Sequence, residues 1–450
     1  MKKGSVGRKP LQGLCTGLDP QGRGLVQAGG REYALSGILP GEEALFTERG
    51  KVLELRKPSS LRQEPLCPVY EACGGCQLRH LSYSGQLDFK EGLVRDLLKR
   101  FGEVSPILGM EDPRGYRNKA IYTFARGRDG KVVYGRYGEG SHEVISGARC
   151  LIQDEEADAL AATLRSLLSK FRVSVYEEDR GRGFLRHLLV RKAVATGEMM
   201  AVLVGTSLQL PGGGDLARAL AARHPALKTV VLNENNRKTS AVLGWKEKVL
   251  YGPGFIEDQL LGLSFRLSPR SFYQVNPVQT AVLYRKALEL ASLTGKERVL
   301  DAYCGIGTIG LLAAGKAREV LGVETNGDAV RDAQGNARRN GITNIRFQEG
   351  DAGAYMRQAA ARGEGFDVVL MDPPRAGSDE AFLSSLLKLA PPKVVYVSCN
   401  PLTLERDLTY LWKGGYRVGA IVPVDMFPET VHAEVICRLI RAKKLETENL

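Results

Sequence analysis

Apolar positions along this chain change their period twice. Over residues 10–57 they come as short runs, Gly24-Leu25-Val26 and Glu43-Ala44-Leu45-Phe46 among them, broken by Gly29-Gly30 and Leu39-Pro40-Gly41. That pattern predicts a small all-β module, a five-stranded OB-like barrel or an ordinary small barrel. From about Leu66 to Leu263 a helical spacing from Gln86 to Leu98 leads into strand-like runs such as Ala120-Ile121-Tyr122-Thr123-Phe124 and Met200-Ala201-Val202-Leu203-Val204, so this region reads as α+β. Further on, Arg298 to Asp301, Val320 to Glu324, Phe366 to Met371 and Lys393 to Val397 alternate with helical patterns, as in a parallel, doubly wound sheet. Two more runs, Tyr416 to Val422 and His432 to Leu439, are joined by a proline-containing loop and read as an antiparallel pair closing that sheet. The expected fold is therefore α/β: a barrel at residues 1–60, a central α+β domain at 61–265 and a Rossmann-like domain at 266–450.

Chemistry concentrates where those last strands end. Ser398-Cys399-Asn400-Pro401 follows the apolar run Val394-Val395-Tyr396-Val397, and the prolyl bond keeps the loop out of helical geometry, so the thiol of Cys399 is rigidly aimed. Upstream, Asp301-Ala302-Tyr303-Cys304-Gly305-Ile306-Gly307 has the form of a glycine turn whose backbone approaches a ligand. Glu324 ends the next strand, where a carboxylate can accept both hydroxyls of a ribose. Asp351 is expected to end a third strand and to reach the adenine side. Asp372, in Asp372-Pro373-Pro374-Arg375, sits at a strand end where charge is hard to explain by packing; it can contact the cofactor or hold the edge of a base. The spacing suggests S-adenosylmethionine, although a Rossmann-like domain could bind something else.

A thiol facing a methyl donor needs a partner. Carbon 5 of uracil is a poor nucleophile until a thiolate adds at carbon 6, and a base must afterwards take the carbon 5 proton. Glu434 suits that task because an apolar strand start would raise its proton affinity, and strand alternation would turn His432 the same way as a competitor. The bland alternatives are a buried inert thiol and a solvated strand end.

Composition widens the picture to a partner. The 450 residues carry a formal charge of +12 and 43% hydrophobic content, a basic globular chain for which a polyanion is a natural partner and a merely soluble basic enzyme the alternative. Seven cations (Arg114, Arg117, Lys119, Arg126, Arg128, Lys131, Arg136) against one acid, Asp129, interleave with Tyr116, Tyr122, Phe124 and Tyr134, which suits single-stranded nucleic acid. A second basic run, Arg180, Arg182, Arg186, Arg191 and Lys192 around Phe184, reads either the same way or as a solvated hairpin edge. The amino terminus has charge without a signal peptide's apolar run, so a cytoplasmic location is expected, and eight cysteines there would not be disulfides.

As a set these residues resemble the RNA uridine-5-methyltransferases of the ribosomal type, and the likeness covers nearly the whole chain. The resemblance implies a TRAM barrel, an iron-sulfur domain and a methyltransferase domain. It implies Cys399 as nucleophile and Glu434, which ends a His-x-Glu motif with Ala433 in place of the expected valine, as base. Phe272-Tyr273-Gln274-Val275-Asn276 matches the family's Phe-x-Gln-Val-Asn, implying that Gln274 contacts S-adenosylmethionine; Tyr303, Glu324, Asp351 and Asp372 match its other cofactor positions and Thr308 matches more loosely. Cys67, Cys73, Cys76 and Cys150 look like its [4Fe-4S] site, with Gly74-Gly75 letting the chain wrap closely; on chemistry alone four thiolates suit tetrahedral zinc as well, and the spacing favours iron. Cys15, Cys304 and Cys437 are left unliganded. The expectation is a monomeric enzyme that methylates a uridine of 23S ribosomal RNA, with transfer RNA the rival substrate. An inactive RNA-binding iron-sulfur protein is the rival from another class.

Overall fold

The computed structural model describes residues 10–442 apart from Arg128, Glu139, Ala148, Lys238 and Ser240, so Arg128 of the first basic run lies outside the described residues. Strands β1 (Leu11–Leu18), β2 (Gly24–Ala28), β3 (Arg31–Leu35), β4 (Glu43–Phe46) and β5 (Val52–Lys57) form one antiparallel sheet in the order β3-β2-β1-β4-β5, curled over Cys15, Val26, Leu35 and Phe46. Gly29 and Gly30 both have positive φ, which is what a two-residue turn between twisted strands requires.

After the short helix α1 (Tyr70–Cys73) comes α2 (Tyr83–Leu98), capped by the Ser82 hydroxyl accepting from the Gly85 N–H. A second sheet holds β6 (Lys119–Arg126), β7 (Val132–Tyr137), β8 (Val144–Ser146), β9 (Leu185–Lys192), β10 (Met199–Gly205), β11 (Leu227–Glu234) and β12 (Lys246–Tyr251) in the order β12-β11-β10-β9-β6-β7-β8. Helices α3 (Glu155–Leu168) and α4 (Gly213–Ala221) cover one face, burying Tyr122, Phe124 and Leu188. The other face puts Leu189, Val202 and Val204 into the core of the carboxyl-terminal half.

That half begins with the hairpin β13 (Ile256–Leu260) and β14 (Leu263–Leu267), then α5 (Pro277–Ala291), β15 (Arg298–Ala302), α6 (Thr308–Ala314), β16 (Glu319–Glu324), α7 (Gly327–Arg339), β17 (Ile345–Glu349), α8 (Ala352–Arg362), β18 (Val368–Met371), α9 (Glu380–Leu389), β19 (Lys393–Ser398), α10 (Pro401–Lys413), β20 (Tyr416–Val424) and β21 (Glu434–Arg441). Its sheet order is β17-β16-β15-β18-β19-β21-β20, parallel throughout except β21, which runs antiparallel to both neighbours. The strand order reverses between β15 and β18, so the crevice for a ligand opens at the carboxyl ends of those strands. Because β21 is reversed, its amino end lies at the same edge.

The structure corrects two readings of the basic runs. Tyr122 and Phe124 are 3% and 1% exposed and Tyr116 is buried as well, so these rings belong to packing and cannot stack on bases. The second run is no hairpin edge: β9 lies between β10 and β6, with Arg186 and Arg191 4% and 3% exposed. Among the described residues no helix is long and apolar enough to cross a membrane.

Candidate active site

Cross-strand register builds the centre of the site. Ser398 at the end of β19 is paired with Val435 in β21, so the next residue on each strand, Cys399 and Glu434, are brought to the same sheet edge. The loop after Cys399 is clamped: Asn400 caps α10 by accepting from the Leu402 N–H, and Pro401 takes the first helical turn. The side chains of Asn400 and Thr403 donate to the Arg375 carbonyl at 3.1 and 3.3 Å, tying the Asp372–Arg375 loop to the thiol's loop.

The electrostatics of this edge are unusual. Burial pushes the Cys399 thiol up to about 11, with the charges of Glu434 and Asp372 adding to it and Arg375 opposing. Glu434 is 2% exposed and its Oε2 has no hydrogen-bond partner; burial and then Asp372 hold its carboxyl well above the usual carboxylate range. Burial raises Asp372 too. A thiol and two desolvated acids therefore share a crevice, an arrangement that favours proton transfer over packing. His432 falls outside β21, in the bend that precedes it, so strand alternation does not aim it; it stacks edge-on against Phe427, and burial together with Arg375 lowers its proton affinity.

Around this centre the other sequence candidates converge. Gly307, with φ of 83°, opens α6 and places Thr308 at its first position; a Cβ at Gly307 would meet the Phe347 ring at 2.8 Å. Tyr303 also has positive φ, uncommon for a residue with a Cβ, and its hydroxyl donates to Ser378. Ser378 is fixed in turn by Asp407, which accepts from the Ser378 N–H at 2.9 Å and from the Tyr396 hydroxyl at 2.7 Å. Glu324 accepts from the Gly305 N–H at 3.0 Å and the Asn326 N–H at 2.8 Å, so one carboxylate shapes the glycine turn and keeps lone pairs for hydroxyls. Asp351 does not end a strand as expected: β17 stops at Glu349, and Asp351 caps α8 by accepting from the Ala354 N–H at 2.8 Å. Gln274 is buried, and its carbonyl accepts from the Asn118 side chain at 3.1 Å.

Sequence reasoning missed the support behind Glu434. In the β20–β21 loop, Glu429 has φ of 71°, its N–H donates to Gln86 at 2.9 Å, and its carboxylate receives Gln86 at 3.2 Å and faces Arg79 at 3.7 Å. Lys90 and Asp425 form a fully buried pair at 2.6 Å, and Lys90 also donates to the Phe427 carbonyl. Long sequence separation hid these contacts; a lysine on the apolar face of α2 was the available signal. Phe272, 63% exposed beside Gln274, is a ring free to stack and lies outside both basic runs.

The cysteines gather elsewhere. Cys67, Cys73, Cys76 and Cys150 border one cavity of about 390 Å³ together with Tyr70, Arg79 and Arg136. Among the described residues no three His, Cys, Asp or Glu side chains converge on a single metal ion. A Cβ at Gly75 would stand 3.4 Å from the Cys73 sulfur and 3.5 Å from Arg136.

Comparison with known proteins decides the family. The family described as tRNA (uracil-5-)-methyltransferase matches residues 245–442. An RNA methyltransferase of Bacillus cereus, itself described as uncharacterized, is 42% identical over 440 residues, 95% of each chain, and one of Clostridium tetani is 42% identical over 94% of each. The chain belongs to the RNA uracil-5-methyltransferase family. The crystal structure of the Pyrococcus abyssi tRNA (uracil-54, C5)-methyltransferase in complex with S-adenosyl-L-homocysteine superposes with a TM-score of 0.79 at 27% identity, covering 95% of this chain and 100% of that one. This uracil-5-methyltransferase therefore depends on S-adenosylmethionine and acts on RNA, and its α/β methyltransferase fold with an amino-terminal β sheet is the one the sequence led us to expect.

Proposed function

We propose that the enzyme methylates carbon 5 of a uridine in 23S ribosomal RNA through a covalent bond to Cys399. The observation that supports the covalent step is the β19–β21 register, which brings Cys399 and Glu434 to one sheet edge. The Cys399 thiolate adds to carbon 6 of a uridine flipped out of its strand, and the electron pair released from the double bond makes carbon 5 an enolate carbon. S-adenosylmethionine supplies an electrophilic methyl group, and Gln274, Tyr303, Thr308, Glu324, Asp351 and Asp372 would hold it. Glu434 then takes the carbon 5 proton, the double bond re-forms, and the sulfur leaves as thiolate. A desolvated carboxylate with raised proton affinity is matched to that weakly acidic C–H.

Cys67, Cys73, Cys76 and Cys150 would hold a [4Fe-4S] cluster. The donor set fits it: four thiols border one cavity beside Arg79 and Arg136, and the spacing of Cys67, Cys73 and Cys76 favours iron over zinc. The cluster's part is structural, and its location in the cytoplasm as part of a monomer belongs to the same proposal.

Transfer RNA is the second reading, favoured by the whole-length likeness to the P. abyssi enzyme. Mapping 5-methyluridine in ribosomal and transfer RNA from cells lacking the gene separates the two; a site lost from transfer RNA alone overturns the ribosomal assignment. Incubating the enzyme and cofactor with 5-fluorouridine RNA should trap a covalent adduct, and a protein that binds RNA without forming one is not this enzyme.

A further inference from the structure

One cation from each basic run meets the other inside the central sheet. Lys119 of β6 and Arg191 of β9 are cross-strand partners and share a face, and Arg117 lies two residues before Lys119. Arg191 donates from Nη2 to the Ser271 carbonyl at 2.8 Å, while its Nε and Nη1, both buried, have no partner. Arg117 likewise has a buried Nε with no partner. Among the described residues none of the three cations forms an ion pair; the charge that reaches Arg191 is Asp332, which is itself bonded to Ser268. Burial, then Arg191 and Arg117, bring Lys119 down to about 8. Three cations held together, half out of water, with guanidinium hydrogens idle, make an arrangement that folding alone disfavours and an anion would satisfy.

Its position names the anion. Lys119 and Arg117 keep solvent access while Arg191 lies beneath them. The residue between them, Asn118, is bonded through its N–H to Val275 and through its side chain to Gln274, so the cluster is fastened to the loop that also presents Phe272. We propose that Lys119, Arg117 and Arg191 seat one backbone phosphate of the bound RNA, fixing the strand beside the crevice. The inference rests on the RNA methyltransferase reading and adds to it a point at which the chain of phosphates is held. Phosphate contacts of this kind set register without reading sequence.

The test uses the full-length enzyme, a fluorescein-labelled single-stranded oligouridylate, and sodium chloride from 50 to 400 mM. A single phosphate contact on a single strand contributes about 0.7 to the slope of log K against log salt. The double variant Lys119→Gln/Arg117→Gln should lower that slope by about 0.7 and each single variant by part of it, with S-adenosylmethionine binding unchanged. They should also melt at or above the wild-type temperature, since like charges are removed. An unchanged slope in the double variant would overturn the site. So would a loss of S-adenosylmethionine binding with RNA binding intact, which would assign the cations to the donor's carboxylate instead. A fall in melting temperature without a change of slope would make them structural and also overturn it. A wild type that neither binds RNA in a salt-dependent way nor methylates any would bring down the functional reading itself, which distinguishes that failure from failure of the phosphate seat.

Discussion

Cys399 sits among groups that hold its proton on, and this has a measurable cost. With the thiol raised to about 11, Cys399 is mostly protonated at neutral pH, and burial holds the Glu434 carboxyl above its usual range. In the proposed reaction the thiol must lose its proton to act, so kcat/KM should climb with pH from 6 to 9 without levelling, as read in methyl-transfer assays on RNA. Removing the neighbouring charge in Glu434→Gln should bring the thiol down, shifting alkylation of the Cys399 peptide by iodoacetamide to lower pH by mass spectrometry. The same variant should lose about 10²–10⁴-fold in turnover and accumulate methylated RNA bound to protein, because addition proceeds and elimination stalls. Cys399→Ala should retain RNA binding and form no adduct; retained turnover would remove it from the mechanism. The place of Cys399 at a sheet edge was legible because an apolar run followed by Asn-Pro marks where a strand gives way to a helix. His432 was misread because alternation was applied to a residue that the β20–β21 bend, with Glu429 in left-handed geometry, takes out of the strand.

At the level of elements, the loop that leads into Glu434 is held from outside its own sheet. Helix α2 supplies Tyr83, Gln86 and Lys90 to residues 425–429, and Tyr116 donates to the Pro428 carbonyl. Breaking a buried ion pair by removing one partner costs about 3–5 kcal/mol, so Lys90→Met should melt markedly lower, as followed by calorimetry. Glu429→Ala, which loses contacts to Gln86 and Arg79, should lower kcat while leaving S-adenosylmethionine binding intact. It should also accumulate the methylated adduct to a lesser degree than Glu434→Gln. Strand existence and order of appearance were legible here because β15, β16, β18 and β19 are buried on both faces and read as continuous apolar runs. Burial on two faces also explains the failure at β6 and β9. Tyr122 and Phe124 look the same from the sequence whether they face helices or solvent, and only the register with β9 shows that Lys119 and Arg191 share a face.

Across the whole molecule, the cysteine cavity and the active site are neighbours in mechanics more than in distance. Arg79, which borders that cavity, also faces Glu429, and the Leu78 N–H donates to the Glu429 carbonyl at 3.0 Å. The amino-terminal sheet reaches the same place, since a Cβ at Gly22 would meet Leu78 and Val431 at 2.9 Å. Cys73→Ser should therefore bleach the visible absorbance of anaerobically purified protein and also lower kcat, by loosening the loop that carries the base. A colourless wild type containing zinc would overturn the cluster. Nothing in the cysteine spacing announced this linkage, because it runs through side chains more than three hundred residues apart.

Strand β21 is synthesised after β20 yet lies inside it, paired on one side with β19. While the chain is being made, β20 has no hydrogen-bonding place in the sheet, and Cys399 faces an empty edge. Insertion of the final strand closes the sheet and brings in Glu434, the proposed proton acceptor, in one motion, so a chain interrupted before residue 434 lacks a complete fold and the proposed centre together.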